Sequence, residues 1–586
     1  MTQDHMAETG EAPMAPRVYM SLIGACAGCA AWLLVHVLPD QLSDQRFLLW
    51  TASATGGFFT VLLALLGPLR LRHALGVALV LAFSAAALLF WHSAGFETVR
   101  AQFDTGLAPL AWALMLVVGA PFGAALVDGR AQDYAYLFDT AWNIVVRYAA
   151  AALFVGLFWG ALFLSDALLG IVGITLIDDL IDQEPVPYVL SGLALGLALS
   201  VAQDMRAYVS PYLLLRLLRL LMPMVLLVTV VFLLALPLRG LSGLFGDFSA
   251  AAVLMGMAVV TITLVTSALD RDDIDAIANR WMRRVAQAMA LLLPVLAGLA
   301  LWAIWLRVAD YGWSPARIAA TLAALLISGY ALLYAIAVLR GARWADHIRT
   351  SNIMMAVISF ALAALWLSPL LNAEHIASQS QLDRYLAGAV PADEVPVWEL
   401  QHDWGLAGQA VVDQIAALDG VAHAELQQNT ERAAELSRWE FDSGQGERAA
   451  SDMSADLVPL VAVWPEGRRL APDAFAMIFH AQLKAWLDLC ALPEAPRCSL
   501  VFGPFGRAGE ERAIFVVPGT THNAGAFVMH GTAAGGFDGA GVIRAARGEG
   551  QLSAAQIRQL GEGGFRIGPS RQQSLWIGDF ELSPRF

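Results

Sequence analysis

Eleven long apolar stretches lie between Val18 and Leu371, and arginines gather at every second junction between them. About 20 apolar residues, at roughly 1.5 Å per residue in a helix, cross a hydrocarbon core of about 30 Å. Inside that core no water satisfies the backbone N–H and C=O groups, so each stretch is expected as a helix. With the N-terminus taken as cytoplasmic, fifteen junction arginines fall on one side and five (Arg46, Arg100, Arg239, Arg307 and Arg317) on the other. Arginine and lysine concentrate in cytoplasmic loops, so this bias orients the chain. An odd number of spans then carries everything after Leu371 out of the cytoplasm. One span more or fewer would scramble the alternation, so the arginines also check the count.

The expected fold is an all-α polytopic transmembrane helix bundle of about 11 spans, followed by an α+β soluble C-terminal domain. Its divisions are a cytoplasmic tail at 1–17, the helical domain at 18–371, a polar linker at 372–400 and a periplasmic domain at 401–586. The first 17 residues are polar and net acidic. No short apolar core precedes a small-residue cleavage site, so Val18–Leu38 is expected as an uncleaved first span. The fifth span, Val145–Leu164, stays apolar through Asp166 to Ile177. Leu168–Leu180 is expected to lie flat at the outer interface with its acids in water. The sixth, Val189–Val201, is short and follows Pro185 and Pro187. Three Gly-x-x-x-Gly pairs, Gly24/Gly28, Gly156/Gly160 and Gly192/Gly196, allow helix backbones to approach closely. They are expected to pack within one bundle rather than between copies.

Beyond Leu371 the balance of charge changes. Residues 372–586 carry net −11 and residues 1–371 net −3, together the −14 of the chain. An acidic soluble part argues against nucleic acid, whose phosphates require a basic surface. Apolar recurrence at three and four predicts helices over Gln401–Leu418, Ala422–Trp439 and Ala471–Leu489. Apolar runs bounded by turn formers predict strands at Val458–Trp464, Ser499–Phe502, Ala513–Val517, Ala526–His530 and Trp576–Leu582. Residues 443–454 and the glycine-rich Gly531–Gly541 read as loops, and the latter lacks the lysine and hydroxyl residue of a phosphate loop. Cys490 and Cys498 are a disulfide candidate wherever the compartment is oxidising. Cys26 and Cys29 have Cys-x-x-Cys spacing but lie inside an apolar span, where they are expected as small packing residues.

Asp139, Asn143 and Arg147 recur every four residues and share one helix face at the inner entrance to the fifth span. As a site they would bind a lipid headgroup or a small anion. As structure they are a polar stripe with a self-compensating Asp–Arg pair. At the other end of the same run, Asp166, Asp178, Asp179, Asp182 and Glu184 form an acidic cluster. It is either a mouth for cations, a catalytic carboxylate group, or the solvated end of an interfacial helix. No histidine or cysteine accompanies these acids, so no metal site is predicted. Ionisable residues at mid-membrane mark transport pathways, but His36, His92 and Asp166 all fall near span ends. Thr261, Thr263, Thr266 and Ser267 in the eighth span are expected to bond to their own helix or a neighbour. His402, His423, His480, His522 and His530 show no ligand spacing, although a hairpin would bring His522 to His530.

The stretch Phe138-Asp139-Thr140-Ala141-Trp142-Asn143, then Arg147, then Gly156-Leu157-Phe158-Trp159, resembles the opening of a bacterial multi-pass family, domain of unknown function 4153. Ala235-Leu236-Pro237-Leu238, Tyr311-Gly312-Trp313-Ser314-Pro315-Ala316-Arg317 and Trp404-Gly405 with the helical run to Leu418 extend the resemblance over most of 130–420. The Tyr-Gly-x-x-Pro-x-Arg piece is its most specific part. The resemblance implies a bacterial inner-membrane protein of unassigned function and supplies no catalytic residues. The resemblance also implies an acidic Asp/Gly-rich loop after a tail cysteine, which relatives often have. Here Cys498–Glu511 reads Val501-Phe502-Gly503-Pro504-Phe505-Gly506, so no calcium-type role is carried over.

Three functions fit this sequence. The first is a non-enzymatic inner-membrane bundle that displays a periplasmic domain for envelope assembly, sensing or partner binding. The second is a transporter or facilitator of a small or lipid-like solute, and the third a membrane enzyme acting on lipid-linked envelope material. No cofactor is implied. The partners expected are the lipid bilayer and a periplasmic or membrane protein, with no nucleic acid.

Overall fold

The structure, a computed structural model, describes residues 14–204, 211–245, 250–272, 276, 279–341, 343–436, 438–492, 496–505, 510–518, 525–531, 536–543, 545–547, 552–568, 574–578 and 580–582. Among them, eleven helices are long and apolar enough to cross a membrane. They run Arg17–Gln41, Gln45–Leu65, Leu71–Ser93, Leu107–Val127, Tyr134–Ile171, Pro185–Gln203, Leu215–Leu236, Ala250–Leu269, Arg280–Tyr311, Pro315–Leu339 and Trp344–Leu367, spans 1 to 11 below. Short polar side chains start several of them. Asp44 accepts from the Arg46 N–H at 2.9 Å, Asn279 from Trp281 at 2.8 Å and Ser314 from Arg317 at 3.3 Å. Each satisfies a donor that the first turn of a helix leaves open.

Spans 5 and 6 are longer than expected. Span 5 is a single helix of 38 residues, about 57 Å long and nearly twice the thickness of a hydrocarbon core. It ends before Gly173, whose φ is +79°, so Leu168–Leu180 is not one interfacial helix. The end of span 5 takes its first part, and the short exposed helix Leu176–Ile181 takes the rest. Span 6 is longer than predicted because Pro185 and Pro187 lie in its first turn, where a missing N–H removes no helical bond.

Spans 1 and 6 pack along their glycines. A Cβ built on Gly24 would stand 2.1 Å from the Gly192 carbonyl oxygen, one on Gly28 2.2 Å from that of Tyr188, and one on Gly196 2.2 Å from that of Met20. Two of the three Gly-x-x-x-Gly pairs therefore face one another inside the bundle. Gly156 and Gly160 meet nothing within 4 Å and lie on the outer face of span 5. Cys26 and Cys29 are free and exposed on span 1, a correction to their expected packing role, because Gly24 and Gly28 occupy the buried side of that helix. Spans 8 to 11 pack in sequence around Leu254, Met289, Leu293, Ala331 and Tyr334.

The polar stretch 372–400, expected as a linker, contains helices. Asn372 accepts from the His375 N–H at 2.9 Å and starts the helix Ala373–Leu386. Val397–His402 and Gly405–Ala416 follow. These residues belong to the first of two compact units, Met1–Thr430, and the second is Glu431–Phe586. The stretch reads as polar because its side chains bond to helix ends, as shown below.

In the second unit a five-stranded sheet is ordered β1 (Val461–Trp464), β2 (Cys498–Gly503), β3 (Arg512–Val516), β4 (Ala526–Gly531), β5 (Phe537–Val542). Only β1 and β2 are parallel, and the helix His480–Cys490 lies in their crossover. Alternation sends Leu500, Phe515 and Phe527 to one face with Phe475 and Trp486, and Val501, Ile514 and Val528 to the other with Ile557 and Leu560. Both faces of β3 are therefore covered. A smaller sheet is ordered β6 (Ala545–Arg547), β9 (Phe580–Leu582), β8 (Ser574–Ile577), β7 (Arg566–Gly568).

Four predictions need correction here. Residues 443–454 are helical, within Arg438–Leu457. Ala471–Phe479 forms turns that still bury Phe475 and Ile478, so its apolar spacing reflects burial rather than a helix. Trp576–Leu582 is a hairpin of β8 and β9 rather than one strand, with Gly578 at φ +61° between them. The glycine-rich run supplies β5, although residues 532–535 lie outside the described residues.

Cys490 and Cys498 are joined by a disulfide, with Cα atoms 5.6 Å apart. Closing a loop of this size stabilises by about 2.5 kcal/mol in the chain-entropy account. The pair Cys490→Ser and Cys498→Ser is expected to cost about that much, read as faster proteolysis of the second unit in the full-length protein.

Candidate functional site

The chemistry of the first unit concentrates at the two ends of its bundle. At the arginine-rich end, Asp133 starts span 5 by accepting from the Tyr136 N–H at 3.2 Å. Arg130 bonds the same carboxylate and holds Asp133 below the usual carboxylate range. From there Asp139, Asn143 and Arg147 turn to one side, where they line a cavity of about 480 Å³ with Asp128, Tyr136 and Arg271.

The three predicted residues are together, with partners that spacing did not indicate. Arg147 is 3% exposed and donates to the carbonyls of Ala64 at 3.4 Å and Leu66 at 3.2 Å, at the end of span 2. Asp139 pairs with Arg271 at 3.2 Å, from the connection between spans 8 and 9. Asn143 donates to the Asp139 carbonyl at 2.6 Å. Asp139 and Arg147 stand two turns apart, about 12 Å along the axis, and each serves a different neighbour.

The end of span 8 is held the same way. Arg219 donates to the Ser267 carbonyl at 2.9 Å and pairs with Asp270. Arg349 donates to the Leu269 carbonyl at 2.7 Å and pairs with Asp346 at 3.1 Å. The last carbonyls of a helix lack partners and carry about half a negative charge, so a buried guanidinium there is stabilised by both terms.

The arginine-poor end repeats the device on span 9. Arg384 donates to the carbonyls of Ala309 at 3.0 Å and Asp310 at 2.6 Å, and Gln381 to those of Tyr311 at 3.0 Å and Trp313 at 2.8 Å. Arg317 donates to Tyr311 at 3.1 Å and Gly312 at 2.9 Å. Gly312 has φ +69°, and a Cβ there would meet Arg384 Cδ at 2.6 Å. The Tyr-Gly-x-x-Pro-x-Arg segment is thus the receptacle for the helix that follows span 11. Gly405, at φ +55°, approaches the Gly95 carbonyl, which accepts the Leu406 N–H at 2.9 Å.

Sequence reasoning missed an uncharged polar network. Tyr334 Oη donates to Asn352 Oδ1 at 2.5 Å, Asn352 Nδ2 to Tyr134 Oη at 3.2 Å, and Thr266 Oγ1 lies 2.9 Å from Tyr334 Oη. Tyr134, Thr266 and Asn352 of this network, with Phe138 and Trp142, border a second cavity, of about 360 Å³. The segment Phe138–Arg147 therefore lines cavities on two faces of span 5. Thr266 was the available signal. Thr261 and Thr263 bond within their own helix.

The acidic cluster is only partly assembled. Asp178 is fully exposed, and its carboxyl is pushed up by the charges of Asp182, then Asp166, then Asp179. Glu184 instead faces His36 at 3.8 Å. Among the described residues no group of three or more His, Cys, Asp or Glu could hold a metal ion. His423 bonds Tyr385 at 3.0 Å and His402 stacks on Trp398. The proposed meeting of His530 with His522 lies outside the described residues.

The eleven apolar helices among the described residues, with arginines bonded to the ends of several, followed by an α+β unit, define a multi-pass membrane protein. The chain matches the family described as domain of unknown function (DUF4153) over residues 54–396, and it belongs to that family. The match begins inside span 2 and runs past the Gln381–Arg384 clasp, covering both ends described above. No curated protein and no solved structure matches the chain.

Proposed function

We propose that this is a bacterial inner-membrane protein whose bundle displays the Glu431–Phe586 unit in the periplasm, for partner binding in envelope assembly or sensing rather than catalysis. The observation that carries the reading is the fifteen-to-five division of junction arginines over eleven spans, which supports a cytoplasmic N-terminus and a C-terminal unit on the opposite side. A periplasmic disulfide between Cys490 and Cys498 accords with that side. The use of arginines at helix ends also supports a scaffold. Arg147, Arg219 and Arg349 bond helix carbonyls and so hold the bundle together.

An alkaline phosphatase fused after Gly388 is expected to be active and a fluorescent protein at the same place dark. Protease added to spheroplasts is expected to remove the C-terminal unit. Protection in spheroplasts with digestion in inside-out vesicles would overturn the orientation. Turnover of a lipid-linked substrate by the purified protein, with no partner captured by periplasmic crosslinking, would overturn the non-enzymatic role.

A further inference from the structure

Spans 3, 4 and 11 enclose a cavity of about 670 Å³ that none of the foregoing uses. Its walls are apolar, contributed by Val77, Val80, Leu81, Phe122, Val357 and Phe360. Gly119 and Gly123 let span 4 close tightly on span 3, and Gly76 faces the open space. A Cβ on Gly123 would stand 2.3 Å from Val77 Cγ1 and one on Gly119 2.7 Å from Leu81 Cδ1, whereas one on Gly76 would meet nothing within 4 Å. Charge appears only at one mouth, where Arg72 and His73 line the cavity at the arginine-rich end and no acidic residue does. Arg72 is exposed and makes no ion pair among the described residues.

The dimensions match one leaflet. From Arg72 to Ser84 the cavity follows span 3 for twelve residues, about 18 Å, against roughly 15 Å for half a hydrocarbon core. A guanidinium at headgroup depth above an apolar channel one leaflet long complements a phosphate ester carrying an acyl chain.

We propose that this cavity holds an acyl chain of one anionic phospholipid from the arginine-rich leaflet, its phosphate bonded by Arg72 and His73. The proposal does not depend on which compartment that leaflet faces, so a failure of the orientation above leaves it standing.

The test is native mass spectrometry of the full-length protein released from nanodiscs of equal phosphatidylglycerol and phosphatidylcholine. One phosphatidylglycerol is expected to be retained in preference. Arg72→Gln, an exposed change that spares the fold, is expected to lower that preference about tenfold, the scale of one charge-assisted bond. Gly76→Phe projects into open space and is expected to displace both lipids while leaving the elution volume and thermal midpoint unchanged. An unchanged preference in Arg72→Gln, or full retention in Gly76→Phe, would overturn the proposal. So would a lipid-free dimer, which would assign the cavity to a second copy of the chain.

Discussion

Gly192→Leu is expected to abolish the packing of span 6 on span 1 and with it the yield of monodisperse protein. Overpacking usually costs about 1–3 kcal/mol because side chains shift to make room. Here the atoms in the way are backbone, the Gly24 oxygen at 2.1 Å and the Gly28 nitrogen at 2.9 Å. They cannot move without separating the helices, so a loss of at least about 3 kcal/mol is expected. Gly156→Leu is the control. The same residue type in the same motif has no neighbour within 4 Å, and its substitution is expected to change stability by less than about 0.5 kcal/mol. Thermal midpoints of both variants in one detergent check the contrast. Equal effects would mean that the glycines of span 6 do not touch span 1.

Asp270→Asn is expected to destabilise by about 3–5 kcal/mol, the scale for removing one partner of a buried ion pair. Asp270 is 3% exposed and pairs with Arg219. Its φ is +53°, a left-handed conformation that asparagine also tolerates, so the substitution removes charge without adding backbone strain. What remains is the partly buried Arg219 guanidinium, still bonded to the Ser267 carbonyl but without the Asp270 charge beside it. Adding Arg219→Met is expected to recover part of the loss, since an apolar replacement of both partners often restores stability. A double-mutant cycle on the full-length protein measures this coupling. Additive losses would show that the two residues act independently.

These two variants also separate what was readable from what was not. The helical bundle, the number of its spans, and the Gly-x-x-x-Gly motifs were legible. So was the grouping of Asp139, Asn143 and Arg147, because a period of four puts them on one face. Hidden were the roles of Arg219, Arg349 and Asn352. An apolar stretch traced from sequence is trimmed where charge or polarity begins, and Asn352 stands directly before the unbroken apolar run of the eleventh span. The helix starts at Trp344, which makes Arg349 and Asn352 part of its packed surface. The same trimming turned Ala373–Leu386 into an apparent linker, since Gln381 and Arg384 look solvent-directed until the end of span 9 comes beside them.

The amino-acid sequence alone determined which segments cross the bundle as helices and on which side of it arginines accumulate. Hydrocarbon imposes that requirement on every segment separately, whatever its neighbours are. Tertiary structure decided which carbonyls each arginine satisfies and which glycine pair meets another. A helix end becomes a binding partner, and a missing side chain becomes a contact, only where a second helix arrives within a few ångströms.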